Sequence, residues 1–207
     1  MTDSPATHSP APETGDLQVR LRAVAGRIRQ AAADDVALKR FGASSHRYQL
    51  GAPLSGAEVA QFEAAHRVRL PEAYRAFITT VGHGGPGRYG GAGPYYGLLP
   101  LQRWDEALWQ PRAEGVLAAP FRVDPGRSYQ DWWPEVGLGE DDEPYTGVVA
   151  LSECGCGIMV VLVVTGPGRG RVAFTAEFDE APQYSHDDFL TWYEHWLDIV
   201  NPRDHIS

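Results

Sequence analysis

The chain is short of lysine and asparagine: Lys39 stands alone against 17 arginines, and Asn201 is the one asparagine. With abundant alanine, glycine and proline, that imbalance reads as the codon usage of a GC-rich bacterium and says nothing of function. Cysteine is scarce too. Cys154 and Cys156 sit one residue apart, too close for an ordinary structural disulfide and too few to hold zinc alone, so a reducing compartment is expected. No stretch approaches the roughly 18 to 20 consecutive apolar residues that a membrane helix needs. Residues 1–16 lack both a basic start and an apolar stretch, which argues against a signal peptide. With Pro5, Pro10 and Pro12 among small and polar residues, they read as a disordered tail. The expectation is a cytoplasmic protein with no membrane association.

What the chain does have is enough apolar material for a core: 43% of 207 residues are hydrophobic, consistent with one domain. Charge is unevenly spread. Residues 1–100 carry 11 Arg/Lys and 8 Asp/Glu, whereas residues 101–207 carry 7 and 19, for a total of −9. The acidic part is a poor match for nucleic acid. It suits a basic protein, because complementary fields speed encounter and set specificity; it equally suits an ordinary acidic, well-solvated protein.

The longest apolar run, Ile158–Val164, is rich in β-branched residues and closed by Thr165-Gly166-Pro167-Gly168. It predicts a central strand buried on both faces. The Gly-Pro-Gly-Arg-Gly turn leads into Arg171–Phe178, whose alternation predicts a half-exposed hairpin partner. Upstream, Gly147–Ser152 predicts another strand, joined to the central run through Glu153-Cys-Gly-Cys-Gly157.

Helices are predicted where apolar residues recur at helical spacing. Residues 17–45 hold a basic amphipathic helix capped by Asp16, with Leu17, Leu21, Val24, Ile28 and Ala31 inward and Arg20, Arg22, Arg27 and Arg29 largely on a solvated face. Phe41-Gly42 marks its end, and His46–Leu50 reads as a short edge strand. Ser55 and Glu58 have capping-box spacing and open a second helix. Leu70-Pro71-Glu72 opens a third, striped by Tyr74, Phe77, Ile78 and Val81. Pro94–Leu101 reads as a strand and residues 103–109 as a helical segment. The last helix, opened at Ser185 with Asp188, carries Phe189, Trp192, Trp196 and Val200.

Two regions invite a functional reading. Residues 82–93 hold seven glycines but lack the Gly-Lys-Ser/Thr ending of a phosphate-binding loop, so they predict a structural turn in which His83 alone could do chemistry. Residues 111–146 read as a loop-rich insertion. There Trp132 and Trp133 either anchor an interface or close one end of the core, and Glu140, Asp141, Asp142 and Glu143 form either a partner-binding negative patch or a solvated turn. An EF-hand spacing is missing from this run.

Several motifs in order resemble one family. They are Leu70–Phe77 (Leu-Pro-Glu-Ala-Tyr-Arg-Ala-Phe), the Gly84-Gly85 pair, Tyr96–Leu101, Leu151–Gly157, Leu162–Gly166 followed by Gly170-Arg-Val, and Phe189–Leu197. Over roughly residues 55 to 200 the chain is similar to the SUKH superfamily, which contains a fungal regulator of cell-wall synthesis and many bacterial immunity proteins. His83 departs from the family pattern, which has a small polar residue there, and the N-terminal helix is an addition to it. The resemblance implies an α+β fold, helices packed on a mostly antiparallel, twisted sheet in residues 46–202, with no catalysis and no cofactor.

It further implies binding and blocking of a cognate toxin, often a nuclease. An inhibitor of that kind needs a negative surface with aromatic anchors, and the contact candidates are Trp132, Trp133, Tyr145 and Glu140–Glu143, with Asp179 and Glu180 secondary. Two other readings stand beside it: an intracellular regulatory scaffold of the same fold, and a hydrolase or metal-dependent enzyme using Cys154, Cys156 and histidines.

Overall fold

The computed structural model describes residues 14–105, 114–123, 145–175 and 182–202. Within them, helix α1 (Thr14–Asp34) is followed by the single turn α2 (Ala43–His46), then α3 (Gly56–His66) and α4 (Glu72–Thr80). A 3-10 turn (Leu101–Arg103) precedes β1 (Val148–Gly155), β2 (Ile158–Val163), β3 (Val172–Phe174) and β4 (Gln183–His186), and α5 (Phe189–Val200) closes the fold. The four strands form one antiparallel sheet in sequence order. The α+β expectation holds, in a single domain.

The central apolar run becomes β2, with Met159–Val163 fully buried. Its alternate residues serve two cores. Val160 and Leu162, with Val149, Leu151 and Val172, join the helices; Met159, Val161 and Val163, with Val148, Ala150 and Ala173, meet Leu99, Phe121 and Val123 on the other face. A strand covered on both sides has no polar face to show, which is why the sequence does not alternate. The β1–β2 connection is a two-residue turn, with Gly155 paired to Ile158 and Cys156 and Gly157 both at positive φ (56° and 82°). That geometry matches the right-handed twist of the flanking strands. β3 departs from expectation: Val172 and Ala173 are both buried rather than half exposed, because β4 and the second core cover it.

The helices are set by local chemistry. Ser55 Oγ accepts the Glu58 N–H while the Glu58 carboxylate accepts the Ser55 N–H, the predicted capping box. α4 buries Tyr74, Phe77 and Ile78, and Tyr74 and Phe77 meet Phe189 edge-on at ring-centroid distances of 4.9 and 5.0 Å. The cap of α5 is Asp188, whose carboxylate accepts the Thr191 N–H; Ser185, expected to open the helix, lies in β4.

α1 begins earlier than expected, at Thr14, and ends at Asp34, where the Asp35 carboxylate accepts the N–H groups of Lys39 and Arg40 and redirects the chain. Its inward stripe is the predicted one, Leu17, Leu21, Val24, Ile28 and Ala31. Its arginines are not all solvated. Arg20 holds Glu194 through two nitrogens at 2.8 and 3.0 Å, and Arg27 holds Asp198 at 2.6 Å. Arg22 and Arg29 remain exposed. The basic helix therefore lies along α5 in the acidic half of the chain.

Two expected strands are absent. At His46–Leu50, His46 ends α2 and Arg47 and Tyr48 take positive φ of 49° and 56°. At Pro94–Leu101, Tyr95 (φ 56°) and Gly97 (φ 129°) break the extended backbone. That segment runs beside β1, where the Leu99 N–H donates to the Leu151 carbonyl at 2.8 Å and the Trp104 carbonyl accepts the Ala150 N–H at 2.8 Å. It thereby covers an edge that would otherwise offer unpaired backbone groups.

Candidate functional site

A groove of about 540 Å³ opens beside α5. Trp192, His195, Trp196, Ile199 and Val200 form the helical wall; Arg40, Phe41, Pro94 and Tyr95 face them from two turns, and Phe174 and His186 come from the sheet. The walls are tied together by ring contacts: Tyr95 meets Phe174 edge-on at 6.0 Å, and Phe41 tilts onto Tyr96 at 4.9 Å. Phe41 and Ile199 are 61% and 65% exposed at the mouth. Both leave apolar surface in water beside the concavity.

Besides Arg40, His186 and His195 the lining includes the hydroxyl-bearing Tyr95 and the indoles of Trp192 and Trp196, and it holds no carboxylate. The two imidazoles lie 5.4 Å apart between centroids. Burial, with help from His195, pushes the His186 pKa below the ordinary histidine value. Behind the Arg40 turn, Asp35 is saturated: it accepts the two backbone N–H groups named above and the Tyr48 hydroxyl at 2.9 Å. Burial alone would raise the Asp35 carboxyl pKa, but those hydrogen bonds outweigh it and hold the group below its usual value. Arg40 Nη1 is buried with no hydrogen-bond partner.

Of the contact candidates read from the sequence, Trp132, Trp133, Glu140, Asp141, Asp142, Glu143, Asp179 and Glu180 lie outside the described residues. Tyr145 is half-buried and packs against the second core of the sheet. The described residues that flank both acidic segments meet on that face. Val123, before residues 124–144, accepts the Tyr184 hydroxyl through its carbonyl at 2.8 Å, and Tyr184 pairs with Ala173 next to the β3–β4 connection. Thr146, just after Tyr145, donates its hydroxyl to the Pro120 carbonyl at 2.7 Å.

The residues that could have carried chemistry have structural partners. His83 Nδ1 lies 2.9 Å from the Ala52 carbonyl, Nε2 lies 3.3 Å from Gln102 Oε1, and its backbone bridges Gly51. The glycine-rich loop around it is tied down by reciprocal 2.8 Å bonds between Gly91 and Leu98 and by the Tyr193 hydroxyl donating to the Ala92 carbonyl. Burial pushes the Cys154 thiol up to about 12, reinforced by the Glu153 charge, opposite to what a nucleophile needs. Among the described residues no group of three or more His, Cys, Asp or Glu could hold a metal ion, and no helix is long and apolar enough to cross a membrane.

An antiparallel four-stranded sheet with helices packed on one face defines a single-domain α+β module. The chain belongs to the SMI1 / KNR4 family (SUKH-1), whose family model matches residues 53–195. Membership is consistent with a non-catalytic immunity or regulatory module. No match was found among curated proteins.

Proposed function

We propose that this chain is a non-catalytic immunity protein that binds and neutralises a basic toxin, such as a nuclease, in the cytoplasm. The observation that carries the reading is where the charge goes. Arg20 and Arg27 are spent inside the fold on Glu194 and Asp198, so α1 neutralises α5 and leaves the acidic excess elsewhere. Residues 124–143 hold seven carboxylates against one arginine, and residues 176–181 hold three and no base. The flanks of both segments meet on one face of the sheet, at Val123 and Tyr184. A basic cleft would be met by Glu140–Glu143, with Asp179 and Glu180 as secondary contacts. Trp132, Trp133 and Tyr145 would supply the buried aromatic contacts that slow dissociation.

The test is capture of a basic protein from the source's lysate and secretome, then a titration of that protein against the quadruple variant E140K/D141K/D142K/E143K. Loss of about tenfold or more in affinity, with a flatter salt dependence, and loss of protection when toxin and variant are co-expressed, is the expected result. Unchanged affinity and salt dependence would remove this patch as the interface. Retention of several unrelated cytoplasmic regulators instead of one toxin would favour a scaffold.

A further inference from the structure

We propose that His46 is an acid-sensitive latch: uptake of a proton by its ring releases residues 42–49 from α5 while the sheet stays folded. This does not rest on the toxin reading, because the latch shares no residue with the toxin-contact candidates. Nδ1 of His46 accepts the Tyr48 N–H at 3.0 Å, so the neutral ring carries its proton on Nε2, a buried atom with no hydrogen-bond partner. A second proton has only Nδ1 to go to. It would set one N–H against another and end the bond to Tyr48, within a residue that is 0% exposed.

The surroundings of the ring do not welcome a charge. From α5 it meets Trp196 edge-on, and a Cβ added at Gly42 or Gly97 would stand 3.4 Å from its Nε2 or its Cβ. The carboxylate that acts on it, Asp35, already accepts the Lys39 and Arg40 N–H groups and the Tyr48 hydroxyl, while the Arg40 guanidinium on that turn is a like charge. Tyr48, the other titratable neighbour, stays neutral, its pKa pushed up by burial to about 12. Burial therefore favours the uncharged imidazole and lowers its pKa to about 4, against the weaker pull of Asp35. Once the Nδ1 bond is lost, little keeps the segment closed. Arg47 and Tyr48 sit at φ 49° and 56°, left-handed backbone that a residue with a Cβ adopts only under constraint. α2 is a single turn in which Ala43 and His46 are the buried residues, whereas Met159–Val163 of β2 lie between two cores. Few buried contacts mark the part of a fold that opens first.

The test is amide hydrogen exchange of the full chain, read by NMR as protection factors from about pH 7 down to about 4.5, where Asp35 stays largely ionised whether the segment is closed or open. The open segment binds the proton more tightly than the closed one, so opening is favoured as pH falls from the ordinary histidine value of 6.5 toward 4. Tyr48 and Gln49 should lose about fiftyfold in protection over that range, while Val161 in β2 stays at least about tenfold better protected at every pH. H46Q, whose amide oxygen can still accept the Tyr48 N–H and which gains no charge, should hold a constant protection at Tyr48. Protection at Tyr48 that ignores pH, that equals the value at Val161 at the acid end, or that falls as steeply in H46Q would overturn the proposal. Should H46Q fail to fold, the comparison of Tyr48 with Val161 in the wild type decides alone.

Discussion

The backbone N–H of Tyr48 donates to Nδ1 of His46 at 3.0 Å, which fixes the imidazole as the tautomer carrying its proton on Nε2. The ring is fully buried (0% exposed), between Tyr48 and the edge of Trp196 at 5.8 Å, and Nε2 has no partner. Burial lowers its pKa to about 4, against a weaker upward pull from Asp35. The folded value lies below the unfolded one, so the unfolded chain binds the proton first as pH falls. Stability should be full above about pH 6.5, decline between about 6.5 and 4, and level off below, for a total of roughly 3 kcal/mol. Urea unfolding across that range would show it, and H46Q should flatten the slope. Asp35, with its carboxyl held below its usual value, contributes a stability that is present above its unfolded pKa and lost at more acid pH, so the two windows separate. A wild-type slope equal to that of H46Q would refute the assignment.

Arg20 and Glu194 make a two-pronged contact with both side chains about three-quarters buried. Such pairs exceed the usual surface ion pair because the geometry is fixed twice. A double-mutant cycle of R20Q and E194Q should give a coupling of about 1 kcal/mol that shrinks only modestly in high salt. A coupling of zero would mean that α1 is held by its apolar stripe alone.

Gly42 sits at φ 76°, and a Cβ added there would stand 1.8 Å from the Tyr95 carbonyl oxygen. Gly157 sits at a similar φ, 82°, with nothing within 4 Å. The pair separates backbone strain from collision. G157A should cost about 1 kcal/mol, the strain alone, whereas G42A should cost about 3 kcal/mol and shift Tyr95 in the groove. Thermal unfolding of both variants would check this, and equal losses would mean that the Tyr95 turn yields freely.

The elements that the sequence reveals are those whose signals are local. The Ser55–Glu58 box, the unbroken apolar run of β2 and the aromatic spacing of α5 each need only their own residues to be read. The misreadings share a cause. Tyr48 and Tyr95 adopt left-handed backbone that no side chain announces, so two stretches with strand-like composition became turns. β3 looked half exposed because Phe121, which helps to cover it, comes from distant sequence. The groove was missed for the same reason: its walls come from five separated stretches. No signal marked it, since Ile199 stands seven residues after Trp192 and three after Trp196 and so reads as part of the same stripe. The acidic and tryptophan-bearing candidates rest on composition alone.

The two thiols give a last discrimination, between a nucleophile and a turn. Cys156 is exposed and Cys154 half-buried, and burial lifts the Cys154 pKa to about 12. At about pH 8 such a thiol is ionised to roughly one part in ten thousand, against about a quarter for a model cysteine. Since only the thiolate attacks, iodoacetamide should modify one thiol per native chain at Cys156, with Cys154 at least about a hundredfold slower until the chain unfolds. C154S should fold and bind like the wild type with a small loss of stability, because the Cys154 side chain packs against the core as a small hydrophobe. Fast alkylation of Cys154 in the native protein would reverse the reading: it would demand a base or cation beside the thiol and would revive a catalytic role for the Cys-Gly-Cys turn.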